Sequence, residues 1–308
     1  MSRNPIMTVG QRLCCILLVG FALTGSGCNS LAKNLRLGQP KDSPIAPQSF
    51  TAEQMVSYLN DNSRRVSTLQ CNNVSIDSRQ GDQNAPGLEG LMVLQKPRNF
   101  RMKGKVVGQP AVDLGSNNDE FWYWVSKAEP VPYVFHCNYN ELSHGQTRMP
   151  FPFQPEMVIQ ALGVSDYDPS RSYQVRDTGK TMELVDIIQG PSGPPLQKIT
   201  VFLKELAPAG KPQVIKYLLR DNAGKDICIS EIFDTQIHRE TGAILPLRMK
   251  MNWPQERVEM TLRFGEFIMP QLTQDQTARM FQRSDLGSQP SFDLARGMPD
   301  APPTARAP

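Results

Sequence analysis

The chain has 308 residues, 39% hydrophobic and 20% charged, which is enough apolar material for one large β domain or two small ones. A net charge of +3 is too small a basic excess to imply a nucleic-acid partner. Six cysteines exclude a dense disulfide scaffold: Cys14, Cys15 and Cys28 lie near the N-terminus, leaving Cys71, Cys137 and Cys228, an odd set best read as buried thiols.

The first element is a positive start (Arg3, Arg12) followed by the apolar run "LCCILLVGFAL" at 13–23. That is about half of the roughly 20 apolar residues a spanning helix needs. Gly25, Ser26 and Gly27 then lead to Cys28, the pattern of an export signal ending at a small-residue cleavage site. The residues around Cys28 resemble the lipobox of bacterial lipoproteins, which implies cleavage before Cys28 and acylation of its sulfur. The alternative is an ordinary secretory signal with an incidental cysteine. The expected division is a signal peptide over 1–27, a lipidated cysteine and flexible tether over 28–48, a folded body over 49–283, and a disordered tail over 284–308. The tether lacks periodicity, and the tail is rich in Pro, Ala, Gly and Ser.

The body opens on a helix signal. Thr51 and Gln54 fit a capping box, and Met55, Val56, Leu59, Val66 and Leu69 recur at helical spacing. A second short helix fits 154–163, with Pro155 in its first turn and Gly163 past its end. Nearly everything else alternates as strands do. "LRMKMNW" sets Leu247, Met249, Met251 and Trp253 against Arg248, Lys250 and Asn252; "RVEMTLRF" sets Val258, Met260, Leu262 and Phe264 against Glu259, Thr261 and Arg263. Further strands are expected in "NVSIDS", "LEGLMVLQ", "NFRMKGKVV", "EFWYWV", "PYVFHC", "SYQVRD", "MELVDII", "KITVFL", "VIKYLLR" and "DICISEIF". "DLGSNN" and "QGPSGPP" are among the segments read as turns. About eleven strands joined by short connections predict a mainly β fold, an antiparallel meander curled into a barrel. A transmembrane barrel fits poorly, because short strands carrying Arg248, Lys250, Glu259 and Arg263 would need a polar lumen.

Between residues 90 and 124 the sequence goes beyond pattern. Gly90, Leu91, Val93, Lys96, Pro97, Phe100, Arg101, Asp113, Gly115, Phe121, Trp122 and Trp124 form a glycine, an alternating strand, a basic residue before proline, an aromatic–basic pair, an Asp/Gly segment and a Trp-bearing strand. This run resembles the lipoprotein carriers and receptors of the LolA and LolB family, with Lys96 and Arg101 at the motif's basic positions. The resemblance implies a half-open antiparallel β-barrel with covering helices, whose apolar interior shelters acyl chains.

The strand "EFWYWV" is apolar on both faces, which fits either a covered second face or a cavity wall. The residues expected to wall a lipid cavity are Phe100, Met102, Trp122, Trp124, Met249, Met251, Met260 and Leu262, methionines suiting a ligand of loose shape. No cofactor or metal is expected: the three histidines, His136, His144 and His238, match no zinc spacing. Glu183 and Asp186 fall on opposite faces of one strand, and no nucleophile elbow or phosphate loop occurs. The sequence therefore reads as a non-enzymatic envelope lipoprotein, tethered to a membrane and facing the periplasm, with the outer membrane favoured. Its expected partners are acyl chains of lipids or lipoproteins. The competing reading is a scaffold lipoprotein with a filled barrel and an envelope protein partner.

Overall fold

A computed structural model describes residues 50–127, 132–142, 155–189, 194–284 and 289–296. The signal, Cys28 and the tether lie outside the described residues, as does His144. Helix α1 (Ala52–Ser63) starts at the capping box: Gln54 N donates to Thr51 Oγ1 (3.3 Å), and Thr51 N donates to Gln54 Oε1 (2.9 Å). It buries Met55, Val56 and Leu59. The helix stops earlier than the apolar spacing suggests. Asn62 is turned to other partners, donating to Gly163 O and Ile244 O (both 2.9 Å), and the run Val66–Ser67–Thr68 favours extended backbone. Val66 and Leu69 are buried all the same, Leu69 from a strand.

The strands follow in order: β1 (Thr68–Gln80), β2 (Gln83–Asn84), β3 (Leu88–Gln95), β4 (Asn99–Val106), β5 (Gln109–Ser116), β6 (Glu120–Val125) and β7 (Val134–Asn138). A crossover carries α2 (Tyr139–Leu142) and α3 (Pro155–Ala161). The chain then returns through β8 (Gln174–Asp177), β9 (Thr181–Gln189), β10 (Pro195–Leu203), β11 (Val214–Arg220), β12 (Asp226–Ile237), β13 (Ile244–Trp253), β14 (Val258–Phe264) and β15 (Phe267–Ile268). Helix α4 (Gln274–Met280), β16 (Ser291–Asp293) and a 3-10 turn (Leu294–Arg296) complete it.

These elements make one sheet, ordered β16-β7-β6-β5-β4-β3-β1-β14-β13-β12-β11-β10-β9-β8, with β2 and β15 also on β1. The topology has two wings. The chain meanders outward from β1 to β7, crosses to the far edge at β8, and meanders back until β14 pairs with β1. Every pairing is antiparallel except β16 on β7. The sheet curves around α1 and α3 without closing, since β8 and β16 do not pair. This is the half-open antiparallel barrel the sequence predicts.

Three local expectations are corrected. Segment 109–116 is strand β5, although "QPAVDLGS" reads as loop and turn. Asp113 is held by Arg101, and a Cβ on Gly115 would lie 2.2 Å from Trp122 Cζ2, so its Asp and Gly serve packing. Residues 291–293, within the expected disordered tail, form β16. Phe292 and Leu294 are apolar exceptions in that stretch, and β7 offers an open edge where Phe292 meets Tyr133 and Phe135. Leu247 is exposed because it is the extra residue of a bulge in β13: Asp234 pairs with Arg248 and Thr235 with Pro246, so Leu247 has no partner on β12.

The concave face holds the main core, in which α1 and α3 meet Leu69, Met92, Phe100, Tyr217, Met249, Met251 and Leu262. The convex face of the returning wing carries ion pairs across neighbouring strands: Lys216–Glu231 (2.9 Å), Arg248–Asp234 (2.9 Å), Lys250–Glu259 (3.0 Å), Arg79–Glu259 (2.7 Å) and Arg263–Asp77 (2.5 Å). Such exposed pairs add little stability. They share that face with a small buried apolar cluster of Val185, Ile199, Val201 and Leu218.

Candidate ligand-binding site

The two wings leave a cavity of about 450 Å³ on the open side of the barrel. Phe121 of β6 and Tyr139 of α2 stand on one side. Ile188 of β9, Leu196 and Lys198 of β10 and Leu219 of β11 stand on the other, and Met157 and Gln160 of α3 form the floor. The position follows from topology: the sheet does not close between its two edges, so side chains of β6 on one wing and of β9, β10 and β11 on the other line the same cavity. The volume falls within the range of small-molecule pockets.

The polar groups of the cavity are mostly paired. Arg98 Nε lies 3.5 Å from Glu156 Oε1, and its guanidinium lies 4.2 Å from the Tyr139 ring centroid. Arg171 Nη2 lies 2.7 Å from Asp186 Oδ1 and donates to Ile187 O at 2.7 Å. Gln160 Nε2 donates to Tyr167 Oη (3.2 Å), which shares a hydrogen bond with Thr200 Oγ1 (3.0 Å). Burial raises the Tyr167 and Tyr139 hydroxyls above the usual phenol range, and burial together with Asp186 pushes Tyr173 up to about 12. These phenols stay neutral at any physiological pH. Burial also lowers the Lys198 ammonium below the usual lysine range, with Asp186 opposing.

The eight residues expected to wall a lipid cavity do not meet in one place. Phe100, Met102, Met249, Met251 and Leu262 are buried in the main core, and Met260 is half-buried at its margin. Trp122 and Trp124 face the other way, since β6 alternates and Phe121 and Tyr123 take the concave side. None of the eight lines the open-side cavity. Among the described residues the concave core is packed by α1 and α3, and the open-side cavity lies beyond it, toward the edges of the two wings. The lining strands are all among those the sequence predicts. The signal in them was Lys198, which shares a face with Leu196, Thr200 and Phe202 and so sets a cation on an apolar stripe.

The two motif cations hold structure together. Lys96 Nζ donates to Ser63 O (3.0 Å), Ser63 Oγ (2.8 Å) and Asp166 Oδ1 (2.9 Å), tying the end of α1 to the crossover. Burial works against the Asp166 carboxylate, yet hydrogen bonds from Ser63 and Lys96 keep its pKa below the usual range. Arg101 is buried on the convex face, with Nη2 2.6 Å from Asp113 Oδ2 and the guanidinium 5.2 Å from the Trp122 ring centroid. It also donates to Met280 O (3.3 Å), Gln282 O and Ser284 Oγ, latching the segment after α4 across the sheet. A second, more open hollow of about 500 Å³ lies beside this latch, rimmed by Lys103, Arg279 and Arg283.

Among the described residues no three His, Cys, Asp or Glu side chains are grouped to hold a metal. Cys71, Cys137 and Cys228 are buried, and none forms a disulfide among the described residues.

A curved, unclosed antiparallel sheet wrapped around two helices, with a cavity at its open side, defines a class of half-barrel proteins. Its solved counterparts include an outer membrane lipoprotein-sorting protein domain from Vibrio parahaemolyticus, 11% identical, covering 74% of this chain and 98% of that one at a TM-score of 0.50. A LolA superfamily protein from Nitrosomonas europaea is 12% identical over 76% of this chain and 99% of its own, at a TM-score of 0.45. No family profile and no curated protein matches the sequence. The chain has a LolA/LolB-like fold, an assignment resting on the Vibrio domain and extending to the fold alone.

Proposed function

We propose that this protein is a membrane-tethered lipoprotein of the bacterial envelope that holds acyl chains of lipids or lipoproteins in its open-side cavity, as a carrier or receptor without chemistry of its own. The observation that carries the reading is the cavity itself: about 450 Å³ with Phe121, Met157, Ile188, Leu196 and Leu219 around it, in a fold shared with a lipoprotein-sorting domain. Burying an acyl chain there is favourable by about 25 cal/mol per Å² of apolar surface removed from water.

A fluorescent acyl probe is expected to bind the purified protein lacking residues 1–28 saturably, with little dependence on salt. Every described element is kept, since the first of them begins at Ala52. The probe's own emission is the proper reporter, because Trp122, Trp124 and Trp253 do not line the cavity. Leu196→Trp should fill the gap and abolish binding with little change in melting temperature, Leu196 being only half-buried. Saturable binding that survives Leu196→Trp would place the lipid elsewhere.

The filled concave core favours the scaffold reading as the second possibility, and absence of saturable probe binding would select it. The tether rests on the lipobox-like "GSGC" ending at Cys28. Two acyl chains on that residue, at about 0.8 kcal/mol per buried CH₂, would give stable attachment. Cys28→Ala should move the protein from the membrane fraction to the soluble fraction or leave its leader uncleaved. A mature N-terminus at any other residue, read by mass spectrometry, would exclude this anchor.

A further inference from the structure

Strand β10 directs Leu196, Lys198, Thr200 and Phe202 to the concave side. Three of them have suitable surroundings: Leu196 lines the cavity, Thr200 meets Tyr167, and Phe202 joins the core. Lys198 does not. Its Nζ lies 5.7 Å from the Tyr167 ring centroid, and it makes no hydrogen bond or ion pair among the described residues. Asp186 stands directly opposite on β9 and acts on the ammonium through space, but it is not in an ion pair with it; its Oδ1 lies 2.7 Å from Arg171 Nη2 without a hydrogen bond. The cavity therefore contains a half-buried ammonium that none of its lining carboxylates (Glu156, Asp166, Asp168 and Asp186) holds in an ion pair among the described residues.

That arrangement constrains any occupant. An acyl chain entering the cavity displaces the water that still solvates Lys198, and a charge stripped of water without a partner is costly. A ligand that fills the apolar part must therefore bring an acceptor for the ammonium, and an anionic one forms the stronger, charge-assisted hydrogen bond. We propose that the cavity takes a single-chain amphiphile with an anionic head, a carboxylate or a phosphate monoester. The head rests on Lys198 Nζ, and the chain lies along Ile188, Leu219, Met157 and Phe121. The proposal rests on the acyl-binding reading above and deepens it by naming the head group.

Calorimetric titration of the purified protein with dodecanoate, dodecyl phosphate and dodecanol, each below its micellar concentration, tests it. Both anions, or one of them, should bind about tenfold or more tightly than dodecanol, as expected for one hydrogen bond to a charged group. Which anion is preferred assigns the head as carboxylate or phosphate. Lys198→Met should erase the preference, so that the anions bind no more tightly than dodecanol, and Lys198→Arg should keep it. Dodecanol binding as tightly as both anions to the unaltered protein would overturn the inference and leave acyl binding standing. So would a preference unchanged in a folded Lys198→Met protein. Failure of all three ligands to bind would overturn both readings.

Discussion

Arg101→Met is expected to cost about 3–5 kcal/mol of unfolding free energy, the usual penalty for removing one member of a buried ion pair. Both partners are withdrawn from water, with side chains 4% and 6% exposed. The loss would leave the Asp113 carboxylate with only a long contact from Trp122 Nε1, at 3.5 Å. The penalty arises from the stranded charge more than from the lost attraction, so the double replacement Arg101→Met with Asp113→Leu should recover much of it. The latch has a separate readout. Met280 O, Gln282 O and Ser284 Oγ lose their common donor in both the single and the double variant. Tryptic cleavage after Arg283 should therefore accelerate in both, even where stability has returned. Denaturant titration gives the first quantity and timed proteolysis the second. A single variant losing less than about 1 kcal/mol would show that water reaches Asp113 and that the pair is not truly buried.

The parts of this fold legible in the sequence are those fixed by local chemistry. The α1 capping box closes within three residues, and the β13–β14 hairpin follows from strict alternation, with Met249 opposite Leu262 and Met251 opposite Met260. Strand β5 was hidden because its Asp and Gly are the residues a turn would use. Only the Arg101 and Trp122 contacts, which come from neighbouring strands, show why a sheet needs them there. Trp122 illustrates a different limit. The alternation in "EFWYWV" separates its two faces correctly but does not say which is concave, and the curvature that decides this belongs to the whole sheet. The cavity was hidden for the same reason. Phe121 and Leu196 are separated by the entire crossover, and nothing near either residue records that the two wings stop short of each other. Lys198 alone left a local trace.

Met251→Asp should be the most damaging single change in the β13–β14 hairpin. Met251 is fully buried in the core opposite Met260. Truncating a buried methionine costs about 2–5 kcal/mol, and a carboxyl group without a partner adds its desolvation. The introduced group should escape part of that cost by taking up a proton, so its folded-state pKa lies above the unfolded value of about 3.9. The unfolded chain then binds fewer protons than the native one between those two values. The added loss is accordingly full above the folded pKa and shrinks as the pH falls toward 4, by up to about 1.4 kcal/mol per pH unit. Leu247→Asp is the informative comparison. Sequence alternation alone places Leu247 on the same face as Met249 and Met251, and so predicts similar damage. In the structure Leu247 is 37% exposed, because it is the unpaired residue of a bulge in β13, between Pro246 and Arg248. Its replacement should therefore cost no more than about 0.5 kcal/mol, as at an ordinary surface site, with no recovery at low pH. Urea titrations of the two variants at pH 7 and pH 5 measure both effects. Equal losses at the two positions would mean that the strand keeps a single register through residue 247 and that the bulge there is absent.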